Sequence, residues 1–212
     1  MNRSRSIFAD NRYFFFSFLF LFLVGLFFLW REGKAASFFY LNPYHSSALD
    51  GFFIRFTFLG DGVFSIVVFV LLLVLRRYSQ AFQVMTAFLA SALCAQVLKS
   101  FFSMPRPKQF FTSGQYAYFI DGVTHMGYSS FPSGHATSIF ALATLLALFE
   151  KNKKWNVAYL AAAAAVGYSR IYLGQHFLGD VLVGSLVGVS LAVLVHRLFT
   201  RRAGRGRPEK MA

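Results

Sequence analysis

Cysteine, charge and acidic residues are all scarce in this 212-residue chain. The single cysteine, Cys94, excludes an intrachain disulfide and a cysteine-based zinc cluster, and it carries no information about redox compartment. Charged residues make up 14% of the chain, against about 25% in a typical soluble domain. The 8 Asp and Glu residues are too few and too scattered to hold Mg²⁺, so neither a metal nor another cofactor is expected. No internal repeat is visible, and the apolar runs lack the dyad alternation of a membrane barrel.

What fills the space is apolar. Hydrophobic residues reach 57%, Phe alone occurs 29 times, and the mean hydropathy is +0.54. That composition belongs to an integral membrane protein. Six runs approach the roughly 20 residues needed to span a bilayer: Tyr13–Trp30, a run within Phe52–Leu75, Ala81–Phe102, Ser133–Phe149, Trp155–Tyr172 and about Phe177–Phe199. The second is interrupted by Arg55 and Asp61, and the fourth is short. The first is longer than a signal-peptide core and is read as a retained helix. The expected fold is all-α, a polytopic six-transmembrane-helix bundle over residues 1–200. A basic, Gly-rich, disordered cytoplasmic tail is expected over 201–212.

The net charge of +13 could suggest nucleic acid, but its placement argues otherwise. With six spans both termini share a side, and fourteen of the 21 Lys and Arg residues fall there. By the positive-inside rule that side is cytoplasmic. The charge is then a topology signal and a contact for anionic membrane lipids, not a nucleic-acid surface.

Three polar clusters fall at the opposite ends of helices three to six, and ionisable groups there need a functional reason. In "KSFFSMPRP", Lys99 closes a helix, and Pro105 and Pro107 hold Arg106 on a stiff turn. Taken alone, these two are cations reaching for the interface. In "PSGH", Pro132 suits a first helical turn, and Ser133 and Gly134 expose backbone N–H groups at a positive dipole end, with His135 beside them. In "SRIYLGQHFLGD", His176 and Asp180 are four apart and share a helix face, so the carboxylate can fix the tautomer of a basic or nucleophilic imidazole. Together, three cations (Lys99, Arg106 and Arg170) and a helix N-terminus suit a phosphoryl group. One histidine can attack phosphorus and the other can protonate the leaving oxygen.

These stretches, in order and spacing, resemble the signature K-x6-R-P, P-S-G-H, S-R-x5-H-x3-D of the type-2 phosphatidic acid phosphatase superfamily of membrane lipid phosphatases. The match spans residues 99–180 with no departure from the pattern. The resemblance implies that Lys99, Arg106 and Arg170 bind phosphate and that Ser133 and Gly134 add contacts. It further implies that His176 is the nucleophile of a phosphohistidine intermediate, that Asp180 orients it and that His135 is the general acid, with no metal. The expected activity is hydrolysis of a lipid phosphate or diphosphate at the outer face, periplasmic in a bacterial inner membrane. Undecaprenyl diphosphate is favoured on family precedent; phosphatidylglycerol phosphate, phosphatidic acid and lipid A phosphates also fit, as does a phosphotransferase with the same residues. A non-enzymatic lipid-binding protein is disfavoured because every signature residue is present. Soluble relatives in that superfamily bind vanadate, but six apolar spans set this chain apart. The oligomeric state is not legible.

Two further features remain. Asp61 is expected near the site, either shaping the headgroup pocket or marking a solvated break in the second helix. The aromatic segment Lys108–Phe131 reads as an interface belt or as a lid, and His45 and His125 receive no role.

Overall fold

The computed structural model describes residues 7–112 and 114–205, and among them every regular element is helical. The elements are α1 (Ile7–Asp10), α2 (Arg12–Leu41), α3 (Ser47–Phe56), a 3-10 turn (Thr57–Gly60), α4 (Gly62–Val74), α5 (Tyr78–Phe102), α6 (Pro107–Phe110), α7 (Gly134–Phe149), α8 (Trp155–Tyr172) and α9 (Leu178–Arg205). Backbone groups in hydrocarbon must be bonded within their own segment, which is why these apolar runs coil. Three stretches are long and apolar enough to cross a membrane: Arg12–Leu41, Tyr78–Phe110 and Leu178–Arg201. The pair Ser47–Gly60 and Gly62–Val74 makes a fourth if its 54° bend lies within one span. The chain is an integral membrane protein.

The surface is inverted relative to a soluble protein. Phe16, Phe20, Leu93 and Phe101 are all more than 60% exposed, so the outer wall of α2 and α5 is built for lipid. The centre is α7, with eleven of its sixteen residues buried. Gly184 and Gly188 of α9 let that helix lie directly on it. A Cβ at Gly188 would strike the Thr137 carbonyl, and one at Gly184 would stand 2.7 Å from the Ser133 carbonyl. Small residues four apart are the usual device for close helix approach in a membrane.

Two helices differ from the sequence expectation. The first continues past Trp30 through Arg31, Glu32 and Lys34 to Leu41, turning at Gly33 (φ 76°). Its charges do not end the helix because each finds a partner. Arg31 pairs with Glu32 at 3.1 Å, and the Lys34 ammonium lies over the rings of Phe177 and Phe110 at 4.2 and 4.9 Å. The second run breaks at Gly60–Asp61. At the other end of the chain α9 runs to Arg205, and residues 206–212 of the basic tail lie outside the described residues.

The aromatic segment folds back onto the bundle. Phe111 and Tyr116 pack on the buried Phe38. His45 binds Asp50, Asn42 and Tyr116 and stacks on Tyr118 and Tyr172. Asn42 in turn donates to the carbonyls of Ile171 and Tyr172. His45 therefore ties the end of α2, the aromatic segment and the end of α8 together, beside the candidate site.

Candidate active site

The three polar clusters converge on one cavity of about 470 Å³. Its walls include Lys99, Arg106, Gly134, His135, Arg170 and His176, six of the eight residues singled out from the sequence. Ser133 and Asp180 stand behind that wall, both buried.

His176 is placed by the way α8 ends. The Arg170 carbonyl accepts from the amides of both Gln175 and His176, at 3.0 and 3.1 Å, which folds the chain back after Gly174 (φ 62°). That turn puts Arg170 and His176, six positions apart, on the same cavity. The His176 ring is 3% exposed, and its Nδ1 stands 3.6 Å from Asp180 Oδ2. This is an ion-pair distance, too long for a hydrogen bond, and among the described residues Nδ1 has no other partner. Asp180 Oδ2 accepts instead from Ser130 Oγ and from the Phe177 amide. Burial pushes the His176 pKa down to about 4, the neighbouring Asp180 opposing it only partly. The imidazole is therefore neutral at ordinary pH, with Nδ1 turned to the carboxylate, which leaves Nε2 free of that partner.

The cations are held by groups that sequence patterns did not reveal. Arg170 Nη1 donates to Thr57 Oγ1 at 2.8 Å, while its buried Nε has no partner among the described residues. Arg106 is bound by Gln175 Oε1 and lies beside Ser129 Oγ. Gln175 also donates to the Val123 carbonyl, so one amide clasps the arginine to the aromatic segment. Lys99 Nζ lies 3.9 Å from where a Cβ on Gly134 would stand, which places the ammonium at the start of α7. Ser133 caps that helix: its Oγ accepts from the Ala136 amide, and its carbonyl accepts from Thr137 Oγ1. Its own amide donates to the Asp180 carbonyl. Ser133 thus links α7 to α9 and does not line the cavity.

Sequence reasoning passed over Thr57, Ser130, Gln175 and His125, which also lines the cavity. Only His125 carried a signal, as an unpartnered histidine in a long connection. Among the described residues no group of three or more His, Cys, Asp or Glu is placed to hold a metal ion. The arrangement offers an anion three cations and a helix N-terminus, with two imidazoles on the same cavity.

Comparison with known proteins shows the family of the chain. The profile described as "PAP2 superfamily" matches residues 80–203. The chain is 32% identical over 169 residues to the lipid A 4'-phosphatase of Porphyromonas gingivalis, covering 75% of this chain and 70% of that protein. It is 32% identical over 111 residues to the lipid A 1-phosphatase of Rhizobium johnstonii, covering 52% of this chain but only 44% of that relative's length. The crystal structure of Aquifex aeolicus LpxE superposes with a TM-score of 0.69 at 29% identity, over 77% of this chain and 94% of that one.

Proposed function

The chain belongs to the PAP2 superfamily, a family of membrane lipid phosphatases, and from that premise we propose that it hydrolyses a lipid phosphate without a metal ion, through a phosphohistidine on His176. One observation carries the reading: a buried, neutral His176 backed by Asp180 opens on the same cavity as Lys99, Arg106, Arg170 and the start of α7. In this reading the three cations and the α7 amides hold the phosphoryl oxygens and offset the charge that spreads over them in transfer. His176 Nε2 attacks phosphorus as the bond to the lipid oxygen breaks. His135 gives that oxygen its proton, then takes one from the water that cleaves the phosphohistidine. Ser133 acts through the cap that fixes α7, and Gly134 leaves its amide open to the ligand.

The substrate we favour is a phosphate on a lipid A-type glycolipid, because the two relatives above carry lipid A phosphatase names. This replaces undecaprenyl diphosphate as the first choice and keeps it as the principal competitor. We place six spans in the membrane by adding α7 and α8 to the four longer candidates, with both termini cytoplasmic and the cavity at the outer face. The excess of Lys and Arg on the opposite side supports that orientation.

The test is phosphate release by purified protein in detergent with EDTA, on lipid A phosphates, undecaprenyl diphosphate, phosphatidylglycerol phosphate and phosphatidic acid. Release in EDTA that falls by at least about 10⁴-fold in His176→Ala is expected. Retained activity in that variant would remove the phosphohistidine. Preference for a lipid other than lipid A phosphate would replace the substrate, and release that needs a divalent ion would remove the metal-free mechanism.

A further inference from the structure

The break in the second apolar run puts a carboxylate against the second histidine. Asp61 Oδ2 lies 3.9 Å from His135 Nε2. Lys99 from α5, Arg106 from the connection before α6, Arg170 from α8 and His176 from the connection before α9 line the same cavity as His135. His125 of the aromatic segment lines the same cavity. A proton donor must hold its proton before it can give it, and a cation among cations holds it poorly. Asp180, the other carboxylate of the site, is bound to Ser130 and Phe177 and faces His176. Asp61 is thus the carboxylate in contact with His135.

The placement of Asp61 is built into the fold. The second run bends by 54° at this residue, and Asp61 caps the helix that follows. Its two oxygens divide the work. Oδ1 accepts from the Val63 amide at 2.9 Å, and Oδ2 is the atom that faces His135. Capping therefore accounts for one oxygen and leaves the other unexplained. The turn before it is fitted to the same histidine, because a Cβ on Gly60 would come within 3.0 Å of His135 Cβ and 2.7 Å of Val166. Thr57, at the start of that turn, holds Arg170. One broken helix thus touches both the phosphate side and the leaving-group side of the cavity.

We infer that Asp61 is a positioning residue for His135, its Oδ2 supplying the counter-charge that keeps the ring protonated and oriented until the leaving oxygen takes the proton. The inference rests on the phosphatase reading above. In the first step the P–N bond to His176 forms, the P–O bond to the lipid breaks, and the Nε2 proton of His135 passes to the departing oxygen to give the free alcohol. In the second, water attacks phosphorus, the P–N bond breaks, phosphate leaves, and the water proton returns to His135 opposite Asp61. At 3.9 Å the contact is too long for a hydrogen bond and becomes an ion pair only when the ring carries its second proton, so that proton stays available for transfer.

The test compares Asp61→Asn and Asp61→Ser with the unaltered protein on two substrates. One is the lipid phosphate best turned over in the panel, whose alkoxide must be protonated as it leaves. The other is p-nitrophenyl phosphate, whose nitrophenolate leaves without a proton. The serine variant keeps a capping oxygen for Val63 and removes the charge, and thermal unfolding reports whether the fold is intact. On the lipid, kcat is expected to fall by at least about 10-fold with KM nearly unchanged, and the alkaline limb of the kcat profile should move to lower pH. On the aryl phosphate the loss should be within about 2-fold, and Asp61→Asn should add nothing to His135→Ala on the lipid. Equal losses on both substrates, an unmoved alkaline limb, or additivity with His135→Ala would reduce Asp61 to a helix cap. Absence of turnover by the unaltered protein on either substrate would instead overturn the phosphatase reading, and this inference with it.

Discussion

His176 and Arg170 show what single residues gain from the fold. The histidine is held neutral here because burial strips the stabilisation from its charged form, which is the state the proposed attack on phosphorus requires. An ordinary histidine near pH 6.5 carries a proton that this one refuses until about pH 4. The unfolded chain therefore binds more protons than the folded one between those values, and the contribution of this group to stability falls as pH drops through that window. A titration of ring signals by NMR, with His176 assigned through His176→Asn, should show a neutral ring at pH 5.5; an inflection near 6.5 would remove the buried-nucleophile account. The identities of these residues were legible in the sequence because their spacing is local. His176 and Asp180 are four positions apart, although His176 lies before α9 begins and the shared helix face that this spacing predicts is not formed, and Lys99 and Arg106 flank the short stretch between α5 and α6. Thr57 and Ser130 were not legible, because their partners Arg170 and Asp180 lie 113 and 50 positions away and no local pattern marks a hydroxyl for such a bond. Ser133 was legible as a residue of the site but not as a cap joined to α9, which depends on how two distant helices meet.

The same division holds for the elements. The Phe- and Leu-rich runs were sufficient to find α2, α5, α8 and α9, and the start of α7 at "PSGH" followed from Pro and Ser at a first turn. What the runs could not supply was where a helix bends or how closely two helices pack. Arg55 and Asp61 read as an interruption, and the 54° bend falls beside Gly60, which leaves no room for a Cβ against His135 and Val166 on two other helices. Packing at α9 gives a direct test of this point. Alanine at Gly188 would push a methyl group against the Thr137 carbonyl and stand 2.9 Å from the Ala141 nitrogen, both backbone atoms that cannot swing aside. Gly188→Ala should destabilise by about 1–3 kcal/mol and loosen the α7 terminus on which the cavity depends. Alanine at Gly51, whose Cβ would meet nothing nearer than 3.9 Å, should be neutral or stabilising by about 0.5–1 kcal/mol. Thermal unfolding of the two variants in one detergent reads the contrast, and equal behaviour would mean that α9 does not seat on α7 as closely as its glycines allow.

For the whole molecule the open quantity is direction. The cavity lies where α5 and α8 end and where α7 and α9 begin, so every polar signature residue gathers at one end of the bundle. The opposite end carries Arg76, Arg77, Lys151, Lys153 and Lys154 in its short connections. Phosphate chemistry at a membrane surface has two possible addresses, and the one used decides which leaflet supplies the lipid. Basic connections stay cytoplasmic because carrying them across costs more than leaving them, which is why we propose that the cavity faces outward. The exposed positions 151 and 115 sit on the two sides of this argument, in the α7–α8 connection and in the aromatic segment. With Cys94→Ser as background, Gln115→Cys should react with a membrane-impermeant thiol reagent in intact cells, and Lys151→Cys should react only after the membrane is opened. The reverse pattern would turn the cavity to the cytoplasm and restrict the substrate to inner-leaflet lipids. The charge asymmetry would then have to be explained by anionic lipid at the other face, since the same five cations cannot be the retained ones in both orientations.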